Sequence, residues 1–392
     1  MDQLAWIAEE LLQCERDGLL RRLATYDGSS SCLTTPAGQQ LINFASNDYL
    51  LLAQDPRLAN AVCAAVQQHT WGSGSSPLIT GHTTCHMNLE RDLSQFEQTE
   101  AALVFSSGYA ANIGTITSLA SRGDVIFSDE KNHASIIDGC RLSGARIQVY
   151  RHLDVAFLEK MIMQTSGFRR RLIVTDTLFS MDGDLAPLQQ LVKIAEQYDA
   201  MLMIDEAHAT GVFGEHGRGV AEHLGVESDI PVKVGTMSKA LGCAGGFVAG
   251  SQQLVDWLVN RARPYIFSTA QAAAGMAAAT VALAIVQQEP KRRRKLLDRA
   301  DTVRCELRRQ GWTIQSESQI IPVLTGDPES ALQMSAFLRE QGLLVPAVRP
   351  PSVPDGESLL RISLSYGHVD SMIEQLLEAF AKLAGQQGKC SK

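Results

Sequence analysis

Three apolar runs end on residues that can do chemistry. Met201–Ile204 leads into Asp205, with His208 three residues further on. Val232–Gly235 leads into Thr236, and Lys239 follows. Leu172–Thr175 runs on to Ser180 and Asp182. In an open parallel sheet ligands bind outside the carboxyl ends of the strands, so the three clusters are expected to face one crevice. A lysine there can lose its proton and attack an aldehyde. A carboxylate beside it can keep a pyridine nitrogen protonated, which makes the ring an electron sink for a carbanion. A phosphate on the same molecule needs backbone N–H groups at a helix start and some hydroxyls. The turn Phe105-Ser106-Ser107-Gly108-Tyr109 enters a helix from a strand and offers such groups at Gly108 and Tyr109, and Thr236 adds a hydroxyl. His133, closing the loop 129–133, can stack a flat ring on a cofactor. Together these describe a cofactor of the pyridoxal 5'-phosphate (PLP) type. Each residue alone reads as a helix cap, a surface lysine or a structural histidine; the specificity lies in the combination.

Competing motifs are weaker. The Asp205-Glu206-Ala207-His208 box is helicase-like, yet no G-x-x-x-x-G-K-[ST] loop occurs in the chain. Gly72–Pro77 is no dinucleotide fingerprint, because it follows a helix. His82–His86 suggests metal but lacks a matching second cluster, and Leu89, Leu93 and Phe96 make it the start of an amphipathic helix. The basic run at 291–295 opens a helix that continues with Asp298, Asp301 and Glu306, which reads as a solvated face.

The elements that must position these residues alternate. Strands are expected at Ala102–Phe105, Val125–Phe127, Ile147–Tyr150, Leu172–Thr175, Met201–Ile204, Val232–Gly235 and Gly246–Ala249, with helices between most of them. Apolar runs without alternation fit strands covered on both faces, hence an α/β fold with a mostly parallel sheet. Residues 2–24 read as one helix, Asp55-Pro56 as a helix start, Ser268 as the cap of a helix over Ala270–Val286, and the region from about 286 as a smaller α+β domain. The expected division is 1–45 (N-terminal helix and short strands), 46–286 (large cofactor-binding domain) and 287–392 (small C-terminal domain). A net charge of −8 argues against nucleic acid or anionic membranes as partners. Eight scattered cysteines without a C-x-x-C pair, and an acidic N-terminus unlike a signal peptide, point to a reducing, cytoplasmic setting.

The segments NFASNDYL (43–50), SSGYAAN (106–112), NHAS (132–135), FSMDGDLAPL (179–188), DEAHATGVFGEHGRG (205–219), GTMSKALG (235–242) and RPPSVPDGESLLRISLS (349–365) resemble those of the α-oxoamine synthases. These PLP enzymes of fold type I, the aspartate-aminotransferase-like fold, condense a small amino acid with an acyl thioester and release CO2. The resemblance implies that Lys239 binds the cofactor covalently, Asp205 pairs with its pyridine nitrogen, His208 bonds its phenolic oxygen and His133 stacks on its ring. It makes Lys239, Asp205 and His133 the catalytic set. Gly108, Tyr109, Ser180 and Thr236 would help bind PLP, and Ser268 or Thr269 would reach the partner's phosphate across a homodimer. Asn47 and Arg361 would hold the amino-acid carboxylate, and Arg21, Arg349 and Ser352 would lie near the acyl substrate. The segment Arg349–Pro354 is similar to that of the biotin-pathway branch, which implies L-alanine and pimeloyl-CoA or pimeloyl-acyl carrier protein as substrates. Leu51 and Pro77 depart from the family pattern, where a glycine and a polar residue are common.

Overall fold

The computed structural model describes residues 3–390; Asp2 and the side chain of Cys390 lie outside the described residues. Within them the chain divides into two compact units: 3–49, 181–183 and 295–390 form one, 50–180 and 184–294 the other.

The larger unit holds seven strands: β4 (Ala101–Phe105), β5 (Val125–Asp129), β6 (Arg146–Tyr150), β7 (Arg171–Asp176), β8 (Met201–Asp205), β9 (Val232–Thr236) and β10 (Gly246–Gly250). Their order is β4-β10-β9-β8-β7-β5-β6. Neighbours from β9 through β6 pair in parallel, whereas β10 runs antiparallel to both β4 and β9. Every residue of β4, β5, β9 and β10 is buried, which is why their sequences do not alternate. Among the helices of this unit, α2 (Pro56–His69) starts where expected, with the Asp55 carboxylate accepting from the Arg57 N–H. Next come α3 (Thr84–Glu97), α4 (Gly108–Leu119) and α5 (Ala134–Ser143). The helix expected from Ala270 begins only at Ala273, with Ala272 at its cap, so Ser268 is not an N-cap.

The smaller unit carries two sheets. In one, β1 (Asp27–Gly28), β2 (Cys32–Thr34) and β3 (Gln40–Asn43) are followed by β12 (Leu343–Leu344), which pairs in parallel with β3. In the other, β14 (Ser358–Ser363) lies between β11 (Ile320–Gly326) and β13 (Ala347–Val348). The N-terminal helix is shorter than its periodicity predicts: α1 spans Trp6–Arg16. Gly18 takes a left-handed φ of 66° and ends it. None of its residues is buried, and Leu23 is fully exposed, so no packed face carries the helix on.

The basic run at 291–295 corrects another expectation. Arg293 is buried, and its guanidinium donates to the carbonyls of Val286 at 2.9 Å and of Glu215. Arg292 donates to Leu50 O at 3.0 Å and pairs with Asp55 at 3.1 Å. These two arginines hold loops and helix ends of the larger unit, whereas Lys291, Arg294 and Lys295 are exposed, so the run is a solvated face only in part. Among the described residues no helix is long and apolar enough to cross a membrane.

Candidate active site

One edge of the large sheet gathers the residues with chemistry. Asp205 ends β8 and lies in register with Asp176 at the end of β7. Thr236 ends β9, opposite Gly246, and Gly246 is also opposite Phe105. The edge therefore carries the carboxyl ends of β4, β7, β8 and β9, as parallel topology requires.

From β4 the chain passes directly into α4. Ser107 caps this helix, its Oγ accepting from Ala110 N at 3.0 Å, which leaves the first N–H groups directed outward at the sheet edge. A Cβ on Gly246 would come within 2.5 Å of Gly108 N, so only glycine lets β10 pass beneath the helix start. Gly108 faces Thr236, whose side chain would lie 3.5 Å from an added Cβ. The Thr236 hydroxyl donates to Gly245 O at 2.8 Å and lies 2.8 Å from Ser238 Oγ. Ser238 thus joins the set of nearby hydroxyls, a residue that its loop position did not single out. The Tyr109 phenol bonds the Asp138 carboxylate.

Asp205 is buried. Its Oδ1 accepts from Ala207 N at 2.8 Å and its Oδ2 from Asn112 Nδ2 at 2.6 Å. Asn112 also donates to Ser135 Oγ at 2.8 Å. His133 caps α5, and both the N–H and the hydroxyl of Ser135 approach its Nδ1, at 3.3 and 2.7 Å. Nδ1 is therefore the acceptor, and a neutral ring carries its proton on Nε2. Burial pushes the His133 pKa below its ordinary value; Asp205 opposes this shift and Lys239 adds to it.

His208 is buried in the turn after β8. Glu206 holds that turn: its carboxylate accepts from Thr177 Oγ1 at 2.6 Å, Val220 N at 3.0 Å and Ala221 N at 2.9 Å. Burial pushes its pKa up to about 7 against those bonds. Lys239 is half-buried in the loop after β9. Its carbonyl accepts from Gly242 N at 2.9 Å, and Gly242 takes a φ of 62° with its Cα against the backbone of Leu52 and Ala53, where no side chain fits. Ser180 is half-buried in the loop after β7. Ser268 and Thr269 line one small pocket together with His82, His86, Ser106 and Gln271.

This edge fits a flat, phosphorylated aldehyde. It offers a helix start cleared by glycine for the phosphate, a buried carboxylate for a ring nitrogen, a neutral imidazole and a lysine. Asn112 and Asp176 also belong to it and were not singled out from sequence. The available signal was an asparagine inside a helix, where its propensity is poor.

The remaining expected site residues lie in the smaller unit. Arg361 is buried on β14, and its Nη1 donates to Asn47 Oδ1 at 3.2 Å. The same oxygen accepts from the Tyr49 hydroxyl at 3.2 Å. Tyr49 is fully buried, and burial raises its phenol pKa while Arg361 draws it down. Arg21 Nη2 donates to Pro350 O at 2.9 Å, and Arg349 donates to Gly18 O. Ser352 is exposed, its N–H bonding Arg349 O at 3.1 Å.

The profile of the aminotransferase class I and II family matches residues 39–380. The putative 8-amino-7-oxononanoate synthase of Bacillus licheniformis is 46% identical over 383 residues, 97% of each chain. Among solved structures, a serine palmitoyltransferase from S. paucimobilis with PLP and myriocin bound matches with a TM-score of 0.92 at 32% identity, over 99% of both chains. The 8-amino-7-oxononanoate synthase from Francisella tularensis matches with a TM-score of 0.78 at 27% identity, over 88% of this chain and 98% of that one.

Proposed function

The chain belongs to the class I and II aminotransferase family and, within it, to the α-oxoamine synthases, and from that premise we propose that it joins L-alanine to a pimeloyl thioester. It is a PLP-dependent acyltransferase. The products of the proposed reaction are 8-amino-7-oxononanoate, CO2 and the free carrier thiol, as in biotin biosynthesis. The observation that carries the PLP chemistry of this reading is the sheet edge that combines a glycine-cleared helix start, buried Asp205 and half-buried Lys239.

When bound, the cofactor supplies a positively charged ring that stabilises a carbanion at the amino acid's α-carbon. The chain supplies the rest. Lys239 Nζ would hold the cofactor covalently, and its free amine, or a group near it, would be the base that takes the amino acid's α-proton. Asp205 keeps a proton on the pyridine nitrogen, and Asn112 fixes the direction of its carboxylate. His133 would stack its ring on the cofactor, and His208 would bond its phenolic oxygen. The N–H groups of Gly108 and Tyr109, with the Thr236 hydroxyl, would bind the phosphate, and Ser180 would help hold the cofactor. Ser268 or Thr269 of a second copy completes that subsite in a homodimer. Asn47 and Arg361 bind the alanine carboxylate, and Arg21, Arg349 and Ser352 bind the acyl chain.

Identity to the Bacillus enzyme, higher than to the serine palmitoyltransferase, supports the pimeloyl reading; a shared backbone does not choose a substrate. The test is kcat/KM for alanine, glycine and serine against pimeloyl-CoA, pimeloyl-acyl carrier protein and shorter thioesters. Alanine with a pimeloyl thioester should give the highest value. A preference for glycine or serine with another acyl group would replace the substrates and keep the chemistry.

A further inference from the structure

The sheet edge holds a second carboxyl that the proposed chemistry leaves unused. Asp176 is 3% exposed and ends β7, beside Asp205. Its Oδ2 accepts from the His133 N–H at 2.6 Å. Its own N–H donates to Asn132 Oδ1 at 2.9 Å, and Asn132 Nδ2 donates to Ser128 Oγ and Val174 O, each at 2.9 Å. Asp176 is thus bonded to two consecutive residues of the loop that delivers the His133 ring.

The bonds continue past His133. Its Nδ1 meets Ser135 Oγ at 2.7 Å, Asn112 Nδ2 donates to that oxygen at 2.8 Å, and the same Nδ2 donates to Asp205 Oδ2 at 2.6 Å. A chain of contacts therefore runs from Asp176 through His133, Ser135 and Asn112 to Asp205, and its two ends are adjacent strand termini.

We propose that Asp176 is a positioning residue, which fixes the His133 ring and, through Ser135 and Asn112, the direction of the Asp205 carboxylate. The proposal rests on the reading of His133 and Asp205 as cofactor contacts. Two buried carboxyls side by side do not both ionise readily. Burial, and then the charge on Asp205, push Asp176 well above the ordinary carboxylate range. The role that the geometry gives Asp176 is that of an acceptor for the His133 N–H, and a carboxamide can take it over.

The experiment compares Asp176→Asn, Asp176→Ala and His133→Ala as PLP-loaded proteins. It reads circular dichroism in the cofactor's visible band, the dissociation constant for PLP, and the melting temperature of the apo form. Asp176→Asn should keep the band and bind PLP within about threefold of wild type. Asp176→Ala should lose much of the band and bind PLP about tenfold more weakly, as for a lost bond in a buried site. Wild-type dichroism and affinity in Asp176→Ala would reduce the residue to a structural cap and overturn the proposal, whatever the melting temperature. Equal damage in Asp176→Asn and Asp176→Ala would overturn the role of Asp176 as an acceptor that a carboxamide can replace. If Asp176→Ala fails to fold, Ser135→Ala breaks the same chain, and an unchanged band there overturns the proposal. His133→Ala separates the premises: a changed band there beside an unchanged one in Asp176→Ala sinks this inference alone, and no change in either sinks the reading of His133.

Discussion

The cofactor edge of the larger unit and the Arg21–Arg349 loops of the smaller unit are built in opposite ways. At the edge, chemistry sits on strand ends: Asp205, Asp176 and Thr236 are buried, and their partners are side chains and amides at fixed positions. In the loops, two guanidiniums donate to backbone carbonyls of Gly18 and Pro350, and Ser352 and Arg21 are exposed. A site on rigid elements keeps its geometry when one contact is lost, whereas a loop site can change its residues without disturbing a core. Under the proposed function, the edge would serve a reaction shared across a family, and the loops the choice of substrate.

Breaking the edge should have the largest effect. Lys239→Ala is expected to abolish turnover, measured as product formed from alanine and a pimeloyl thioester. The melting temperatures of the two apo forms should agree within a few degrees, since a half-buried loop lysine contributes little packing. The apo forms must be compared, because bound cofactor itself stabilises the protein. Turnover near the wild-type rate would remove Lys239 from the chemistry. Arg349→Ala tests the other side of the comparison. It should lower kcat/KM for the pimeloyl substrate by about tenfold or more, the cost of one charge-assisted bond, and leave α-proton exchange on alanine nearly unchanged. Each methylene buried is worth about 0.8 kcal/mol, so short acyl chains should be poor substrates before any mutation. Equal kcat/KM for acetyl and pimeloyl thioesters would break the assignment of these loops to acyl choice.

The same contrast explains what the sequence made legible. Six of the seven strands were readable because burial along nearly their whole length leaves uninterrupted apolar runs; only β6, at the end of the sheet, is mostly unburied. Asp205 and Thr236 were readable because they end such runs. Asp176 ends one too, yet its importance lies in a 2.6 Å bond to His133 from another part of the chain, which no local pattern announces. Asn112 was hidden in the same way, four residues into a helix. Arg293 was misread because charge alone suggests solvent, and its burial depends on carbonyls of Val286 and Glu215 that only the fold brings near. The N-terminal helix was overextended because periodicity persists past Gly18, where the backbone turns left-handed.

A smaller effect concerns how the edge holds its loops. His152 lies between Asp129 Oδ1 at 2.9 Å and Asp184 Oδ2 at 3.0 Å, with its ring edge-on to Phe179, and so pins the loop that carries Ser180. Burial works against the imidazolium, but the two carboxylate bonds outweigh it and raise its pKa to about 9. A group whose pKa is raised on folding contributes stability that is complete below its unfolded value, about 6.5, and disappears as pH climbs through about 9. Replacing His152 with phenylalanine should therefore lower the melting temperature by several degrees at pH 6 and by much less at pH 9.5. A loss of the same size at both pH values would show that His152 acts by packing alone.

The smallest effect is backbone strain where the larger unit begins. Leu51 has a φ of 57°, a left-handed conformation that costs an L-residue about 1–2 kcal/mol. It cannot relax cheaply: Leu50 and Leu52 on either side are buried, and Arg292 holds the Leu50 carbonyl at 3.0 Å. Glycine, common here in the α-oxoamine synthases, removes the strain but gives up a half-buried side chain and adds disorder to the unfolded chain, about 0.5–1 kcal/mol against it. The terms nearly cancel, so Leu51→Gly should change stability by less than about 1 kcal/mol. Leu51→Ala keeps most of the strain and loses the side chain, so it should be the less stable of the two. The difference between the variants in urea unfolding isolates the strain, and a glycine variant less stable than the alanine one would show that Leu51 is held by its packing and not in spite of its backbone.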